Sequence, residues 1–305
     1  MNIRKAPPAF TCDDLRHDGS AVKKAYEKQG FVALREALEK REIEELLQAN
    51  LAILRGDHGS FDGWEGPHPD LTPHDLLNYY LCVHFPDRLA NVFKRYKRHA
   101  SIVETLKVLI GRNVKCMQTM LFNKGPSGKG HAWHQDEYFI PTRDRSLVGV
   151  WIALDDATID NGCLWVIPGS HRRGIIWPQR EHGRDDYDCY HEAYNTPFEE
   201  RDAVAVEVEM GAIVFFNGYL LHSSQPNVTD SSFRRALVYH CMSAESLLPW
   251  GPPEPDLPVG RFDYRDVEII AGEDPYIWKP KKDLAKVHVR PKGDGGCEDW
   301  QKRGD

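Results

Sequence analysis

Long hydrophobic runs are missing from this chain. No stretch approaches the roughly 18 apolar residues that a membrane-spanning helix needs, and the opening MNIRKAPPAFTCDD lacks the apolar segment of a secretory leader. Paired cysteines are missing too. Cys12, Cys82, Cys116, Cys163, Cys189, Cys241 and Cys297 are scattered and odd in number, with no CxxC among them. That argues against a disulfide framework and against a structural zinc site. Nor is there an excess of positive charge, since the formal net charge is -7. A nucleic-acid binder is expected to show a basic total or a basic face. The best local candidate, FKRYKRHA from Phe93 to Ala100, reads as the solvated face of a helix. The NVT at Asn227 reads as an ordinary turn. These absences lead to the expectation of a cytoplasmic protein with no membrane and no nucleic-acid partner. They say nothing of oligomeric state.

What is present suits a folded protein. The chain has 305 residues, 41% of them hydrophobic, with eight Trp, twelve Tyr and twelve Phe. A full core is expected and disorder is excluded. No internal repeat and no clear domain boundary interrupt the chain, so one domain over residues 1–305 is expected. Residues 1–110 read as mostly helical. AVKKAYEKQG ends on Gly30, a helix stop. FVAL after it is a short strand candidate. In EALEKREIEELLQANLAILRG, the residues Leu38, Ile43, Leu46, Leu47, Leu51 and Leu54 recur at helical spacing up to Gly56. A further helix is expected over Pro86–Leu109. The polar, aromatic stretch Gly56–Asp75 reads as a long functional loop.

From about 111 to 245 the period changes to that of β-structure. KCMQTMLFN, LVGVWIALDD, GCLWVIPGS, AVAVEVEMGAIVFFNG and RALVYHCMS are short β-rich runs split by Gly, Pro, Asp and Asn. Such spacing predicts an antiparallel sandwich or barrel. The charged segment Ile175–Asp202 reads as an insertion between strands. Residues 246–305 read as a Pro- and Gly-rich extension that becomes strongly charged.

The densest chemistry is HAWHQDEYFI, residues 131–140. On an extended strand, residues i and i+2 face the same way. His134 and Asp136 can therefore aim an imidazole and a carboxylate at one point. His222, after the run GAIVFFNGYLLH, is the best third ligand. Two histidines and one carboxylate form the facial arrangement of non-haem Fe(II) oxygenases. Arg234 lies on the next predicted strand and could return to the same cavity. A guanidinium grips a carboxylate through two parallel hydrogen bonds. An arginine deeper in an iron pocket suits a dicarboxylate with a keto-acid end, and 2-oxoglutarate has that shape. Arg235 is a rival, because alternation lets only one of the two face inward.

MLFNKGPSGKGHAWHQDEYF, VGVWIALDDATIDNGCLWVIPGSHRRG and LLHSSQPNVTDSSFRRAL resemble the phytanoyl-CoA dioxygenase family of Fe(II)/2-oxoglutarate oxygenases. KQGFVALREALEKREIEELL resembles that family's opening strand and helix, so the likeness runs from about Gln29 to Ser243. The resemblance implies a mainly β fold with flanking helices around a double-stranded β-helix, or jelly roll, of cupin type. It implies that His134, Asp136 and His222 hold Fe(II), and that Arg234 grips the distal carboxylate of 2-oxoglutarate. By the same likeness Met120, Gln135, Trp151 and Ser224 contact or line the cosubstrate site. O2 is then the oxidant, and the products are succinate, CO2 and an oxidised small molecule. The carboxylate of Asp136 favours hydroxylation over halogenation, because halogenating relatives lack it. Desaturation, epoxidation and ring closure stay open.

The neighbouring residues have plainer readings. Glu137 is expected to face solvent. His131 is a candidate substrate contact, and His171 a turn residue or a pocket wall. Asn161-Gly162 suits a tight turn. Asp57–Tyr80 and Ile175–Asp202 are expected to roof the pocket, with Trp64, Tyr79, Trp177, Tyr187, Tyr190 and Tyr194 beside His68, Arg180, His182, Arg184 and His191. The second of these is expected to be a mobile lid. Two other classes remain open at this point: a cupin-like metal enzyme that does not use 2-oxoglutarate, and a non-catalytic small-molecule binding protein on the same fold.

Overall fold

A computed structural model describes residues 4–6, 9–188, 191–247, 258, 260–264 and 267–291. Tyr190, expected in the roof, lies outside the described residues, as do Cys189 and Cys297. The strands are β1 (Arg4–Lys5), β2 (Phe31–Leu34), β3 (Tyr80–His84), β4 (Val114–Lys124), β5 (Gly130–His134), β6 (Val148–Ala153), β7 (Leu164–Val166) and β8 (Gln179–Glu181). They continue with β9 (Tyr187–Asp188), β10 (His191–Ala193), β11 (Val204–Val206), β12 (Ile213–Asn217), β13 (His222–Ser224), β14 (Arg234–Ser243), β15 (Glu268–Ala271) and β16 (His288–Pro291). The helices are α1 (Cys12–His17), α2 (Gly19–Gln29), α3 (Lys40–Arg55), α4 (Pro73–Tyr79), α5 (Asn91–Tyr96), α6 (Ala100–Ile110) and α7 (Asp136–Phe139).

Two sheets face one another. The larger runs β16-β3-β4-β14-β6-β12-β2, with β15 also on β4; the smaller runs β1-β11-β7-β13-β5-β9. This is the expected jelly-roll pair of sheets with helices on one outer face. Alternation along each strand of the larger sheet sorts its residues between two cores. Leu237 and Tyr239 of β14, with Val150 and Ile152 of β6, turn outward to meet Ile43, Leu46, Phe93, Ile102 and Leu106 of the helices. Ala236 and Val238, with Trp151 and Ala153, turn inward to meet Leu164, Val166, Val204 and Val206 of the smaller sheet.

The helix ends follow the sequence signals. α2 stops at Gly30 with φ 86°, and α3 stops at Gly56 with φ 88°, a backbone region that glycine enters without a Cβ penalty. The single helix expected over Pro86–Leu109 is instead a 3-10 turn at Pro86–Arg88 followed by α5 and α6. Ala90 is extended and His99 (φ -59°, ψ 137°) is likewise outside the helical region, and each breaks the run. FKRYKRHA is also less exposed than its charges suggest. Phe93 and Tyr96 are core, and Lys97 is buried between Asp87 (2.6 Å) and Glu268 (3.1 Å).

Strands occur on both sides of the 111–245 interval. β2 and β3 precede it; β15 and β16 follow it and hydrogen-bond to β4 and β3. The stretch read as an extension thus completes the edge of the larger sheet.

A candidate metal centre and the cavity around it

β5 and β13 lie side by side in the smaller sheet, with His134 directly opposite His222. Their ring centroids are 4.1 Å apart. Each imidazole is fixed in the same way. Nδ1 of His134 donates to the Ala132 carbonyl at 2.8 Å, and Nδ1 of His222 donates to the Leu220 carbonyl at 2.9 Å. A carbonyl can only accept, so Nδ1 carries the proton and the Nε2 lone pair is left for a cation. Burial, with His222 alongside, pushes the His134 pKa down to about 3, which keeps that ring neutral.

Asp136 reaches the same point by a different route from the one expected. β5 ends at His134, Gln135 is extended (φ -130°, ψ 131°), and Asp136 opens the short helix α7. The extended Gln135 preserves the i, i+2 relation across the strand end. Asp136 Oδ1 stands 3.7 Å from His134 Nε2 and 3.6 Å from His222 Nε2. Its Oδ2 accepts from His240 Nε2 at 3.2 Å. Burial would raise the Asp136 pKa, but His222, His240 and His134 together hold it well below the usual carboxylate range. His222 begins β13 rather than ending the strand before it: β12 closes at Asn217 and a turn intervenes.

The donor set fits a divalent cation such as Fe(II). It offers two imidazole nitrogens and one ionised carboxylate oxygen, all within 4.8 Å of one another. Ligands at right angles on an ion with bonds of about 2.1 Å stand about 3 Å apart, so the observed separations need only a small side-chain adjustment.

A cavity of about 1180 Å³ opens beside these three residues. Met120, Trp151, Ser224 and Arg234, all expected at the cosubstrate site, line it. Arg234 is buried and faces inward in step with Ala236 and Val238. Its Nε donates to the Gly162 carbonyl at 3.1 Å, and its guanidinium lies 5.7 Å from the Trp151 ring. Burial lowers its pKa to about 10. Arg235 faces the other way and forms a two-point pair with Asp155, at 2.8 and 2.6 Å. Gly162 is required where it is. Its φ is +84°, and a Cβ there would come within 2.4 Å of the Gln225 carbonyl.

Gln135 departs from its expected place. It points away from the cavity, as the residue between two inward-facing ones must. Its Nε2 donates to the carbonyls of Ile175 (3.0 Å) and Tyr219 (2.7 Å), and its Oε1 accepts from the Trp177 N–H at 2.8 Å. Glu137 is not solvent-exposed either. It is fully buried, accepts from the Thr142 N–H at 2.8 Å and from the Thr142 hydroxyl, and burial raises its pKa to about 7.

Lys124 and His240 are among the cavity residues that escaped the sequence reading. Lys124 is buried at the end of β4, and its Nζ donates to Ser224 Oγ (2.8 Å) and the Gln225 carbonyl (2.7 Å). Burial, with Arg234 close by, pushes its pKa well down. Both were countable: Lys124 shares the inward phase of Met120 and Phe122, and His240 shares that of Arg234.

His131 lines the cavity, its ring 4.3 Å from that of His134. His171 does not; its Nε2 donates to the Glu27 carbonyl at 3.2 Å and so ties its turn to α2. Of the expected roof, Trp64 packs against the helix end and donates to the Leu54 carbonyl, and Trp177 packs on Ile167 and Leu221. Asp62 of the first segment and Gln179, Asp188 and His191 of the second line the cavity. β8 and β10 form a hairpin, and β9 adds an edge strand beside β5.

Two facing sheets with this donor set between them define a double-stranded β-helix protein with a candidate metal site. A profile of the phytanoyl-CoA dioxygenase (PhyH) family matches residues 26–236, and the chain belongs to that family. It is 34% identical over 163 residues to phytanoyl-CoA dioxygenase 1 of Oryza sativa subsp. japonica, covering 53% of this chain and 57% of the relative. Against human peroxisomal phytanoyl-CoA dioxygenase it is 34% identical over 166 residues, covering 50% and 46%. The chain spans about half the length of the curated relatives it matches. Among solved structures, the non-haem monooxygenase ThoJ superposes with a TM-score of 0.62 at 22% identity, covering 88% of each chain. The epimerase SnoN, in complex with Fe3+, alpha-ketoglutarate and nogalamycin RO, superposes with a TM-score of 0.58 at 21% identity, covering 76% and 87%. These likenesses bear on the fold. No helix among the described residues is long and apolar enough to cross a membrane.

Proposed function

We propose that the protein is an Fe(II)/2-oxoglutarate-dependent oxygenase that hydroxylates a C–H bond of a small-molecule metabolite or natural product in the cytosol. The supporting observation is one cavity holding both a His134–Asp136–His222 donor set and, apart from it, the buried guanidinium of Arg234 and the buried amine of Lys124. When bound, the iron and 2-oxoglutarate supply the chemistry that reduces O2, with CO2, succinate and an alcohol as products.

The chain's own residues hold and orient. Ala132 and Leu220 carbonyls keep both Nε2 atoms turned to the metal position. His240 holds Oδ2 of Asp136, so Oδ1 is the oxygen presented. Among the described residues neither Arg234 nor Lys124 has a carboxylate in salt-bridge contact. A dicarboxylate entering the cavity meets this pair with one end, while Trp151 and Met120 close the site from water. Ser224, already bonded to Lys124, is placed to donate to the same carboxylate.

Oxygen-dependent conversion of 2-oxoglutarate to succinate by the purified protein with Fe(II) tests this reading. Metal binding without 2-oxoglutarate consumption would favour a cupin-like enzyme of another kind. Binding of neither would leave a small-molecule binding protein. Cell fractionation tests the compartment.

A further inference from the structure

Tyr264 lies beyond the segment matched by the family profile, yet it lines the cavity. Only 5% of it is exposed, and its hydroxyl is buried with no hydrogen-bond partner among the described residues. A buried tyrosine hydroxyl ordinarily has one, and going without is costly. Gln118 is in a similar position. It faces the cavity from β4, half-buried, and its side chain makes no hydrogen bond among the described residues.

Both residues belong to one end of the cavity. Along the β14–β4 ladder Arg234 pairs with Lys124, and His240 pairs with Gln118. The span from Arg234 to His240 is about 20 Å of strand, so Gln118 is far from the proposed cosubstrate anchor and next to the residue that tethers Asp136. Backbone bonds join the segment carrying Tyr264 to this strand end. The Phe85 N–H donates to the Thr119 carbonyl at 2.8 Å, Arg88 Nη1 donates to the Ala285 carbonyl at 2.6 Å, and the Leu284 N–H donates to the Tyr264 carbonyl at 3.0 Å. Val267, just past Tyr264, packs with Ile140, the residue after α7. Phe85, Phe139 and Ile140 line the cavity here and are apolar, while Lys286 is exposed to water.

We propose that Tyr264 and Gln118 form the substrate subsite, and that it takes an uncharged oxygen function, a hydroxyl or a carbonyl, on an otherwise apolar skeleton. The phenol and the amide each offer a donor and an acceptor, and either oxygen function can bond to both. An anion would be buried against Phe85, Phe139 and Ile140 with no countercharge among these residues, which is unfavourable. The cavity volume of about 1180 Å³ exceeds the roughly 300–1,000 Å³ of ordinary ligand pockets, so such a skeleton fits beside the cosubstrate. The inference rests on the proposed oxygenase reading, because that reading gives the Arg234 end to 2-oxoglutarate.

The test is a fluorescence titration of the full chain, kept anaerobic with Fe(II) and 2-oxoglutarate and repeated with neither. The probes are 2-naphthol and 2-acetonaphthone, with naphthalene as the apolar control and 2-naphthoate as the anionic one. At least one of the two probes should bind tighter than both controls, and the tighter of them tells hydroxyl from carbonyl. Tyr264→Phe and Gln118→Leu should each cut the preference over naphthalene by about three- to tenfold, the loss of one hydrogen bond, while naphthalene binds as before. The affinity for 2-oxoglutarate should be unchanged in Tyr264→Phe. A purely structural role predicts instead a lower Tm and an equal loss for every compound. The inference is overturned by a wild type that binds none of the compounds, by tightest binding of naphthalene or 2-naphthoate, or by a full preference kept in Tyr264→Phe. A wild type that consumes 2-oxoglutarate but does not prefer the oxygenated probes defeats the inference alone. One that prefers them but never consumes 2-oxoglutarate defeats the oxygenase reading instead.

Discussion

His240 Nε2 and Asp136 Oδ2 stand 3.2 Å apart inside the cavity. This contact divides the carboxylate into two jobs. Oδ2 is tethered, and Oδ1 faces the two histidine nitrogens at 3.6 and 3.7 Å. Residues that orient a metal ligand are worth about 10- to 100-fold in metal affinity. His240→Phe keeps a ring and loses the donor. It should weaken Fe(II) binding by about that factor with an unchanged circular dichroism spectrum. Undiminished metal affinity would show that the tether is incidental.

The two histidines should behave alike, since each is locked through Nδ1 to a carbonyl two residues back. His134→Ala and His222→Ala should each lose most bound iron and all turnover. Stoichiometric iron by elemental analysis in either variant would remove it from the ligand set.

Arg234 and Arg235 make a direct contrast. Arg234→Lys should raise the KM for 2-oxoglutarate by about ten- to a hundredfold with iron retained. Arg235→Lys should leave KM alone, because its partner is Asp155 on the outer side. The reverse pattern in steady-state kinetics would mean that the inward-facing arginine does not bind the cosubstrate.

Lys97, just past the end of α5, and Glu268 tie that helix end to β15. Burial would raise the Glu268 pKa, but Arg98 and Lys97 outweigh it and hold the carboxyl below its usual range. The folded state therefore binds this proton less readily than the unfolded chain. The resulting stability is complete above the ordinary glutamate pKa of about 4.3 and fades as pH falls below it. Glu268→Gln should lose about 1–3 kcal/mol at pH 7 and show a shallower decline of stability on acidification. Parallel urea-denaturation curves for the two proteins across that pH range would refute this.

We predict that the β8–β10 hairpin closes over bound substrate. The motivation is that Gln179, Asp188 and His191 line the cavity while Arg180, Glu181, Arg184 and Asp186 face solvent. Backbone amides of Gln179–Glu181 and His191–Ala193 should exchange faster than those of β13 in the free protein. They should slow when a turnover-supporting substrate is present. Equal and strong protection in both states would make the insertion a rigid wall.

Much of the site was legible because strand alternation is a rigid rule. It placed His134 with Asp136, allowed only one of Arg234 and Arg235 to face inward while the family resemblance pointed to Arg234, and extends to Lys124 and His240 along β4 and β14. Where the reading failed, alternation had either been set aside, as at Gln135, or could not express the geometry. Gln135 is beside a ligand in sequence, yet the same alternation turns it outward. Glu137 lies in the helical turn α7, where strand parity no longer applies, and that turn buries it against Thr142. FKRYKRHA looked solvated because nothing in its own sequence reveals Glu268 as the partner of Lys97. β15 and β16 were hidden by a polar, Pro-rich context; their pairing partners in β3 and β4 lie far away in the chain.

Gln135 has a mechanical consequence. Its amide joins the backbone at Ile175 and Trp177 to the residue between two of the proposed metal ligands. The root of the insertion and the triad therefore move as one body. Any swing of the hairpin must pivot beyond Trp177, and a strain applied before that point would be felt as a shift of Asp136. A single side chain in this way couples the root of the insertion to the aim of the ligands.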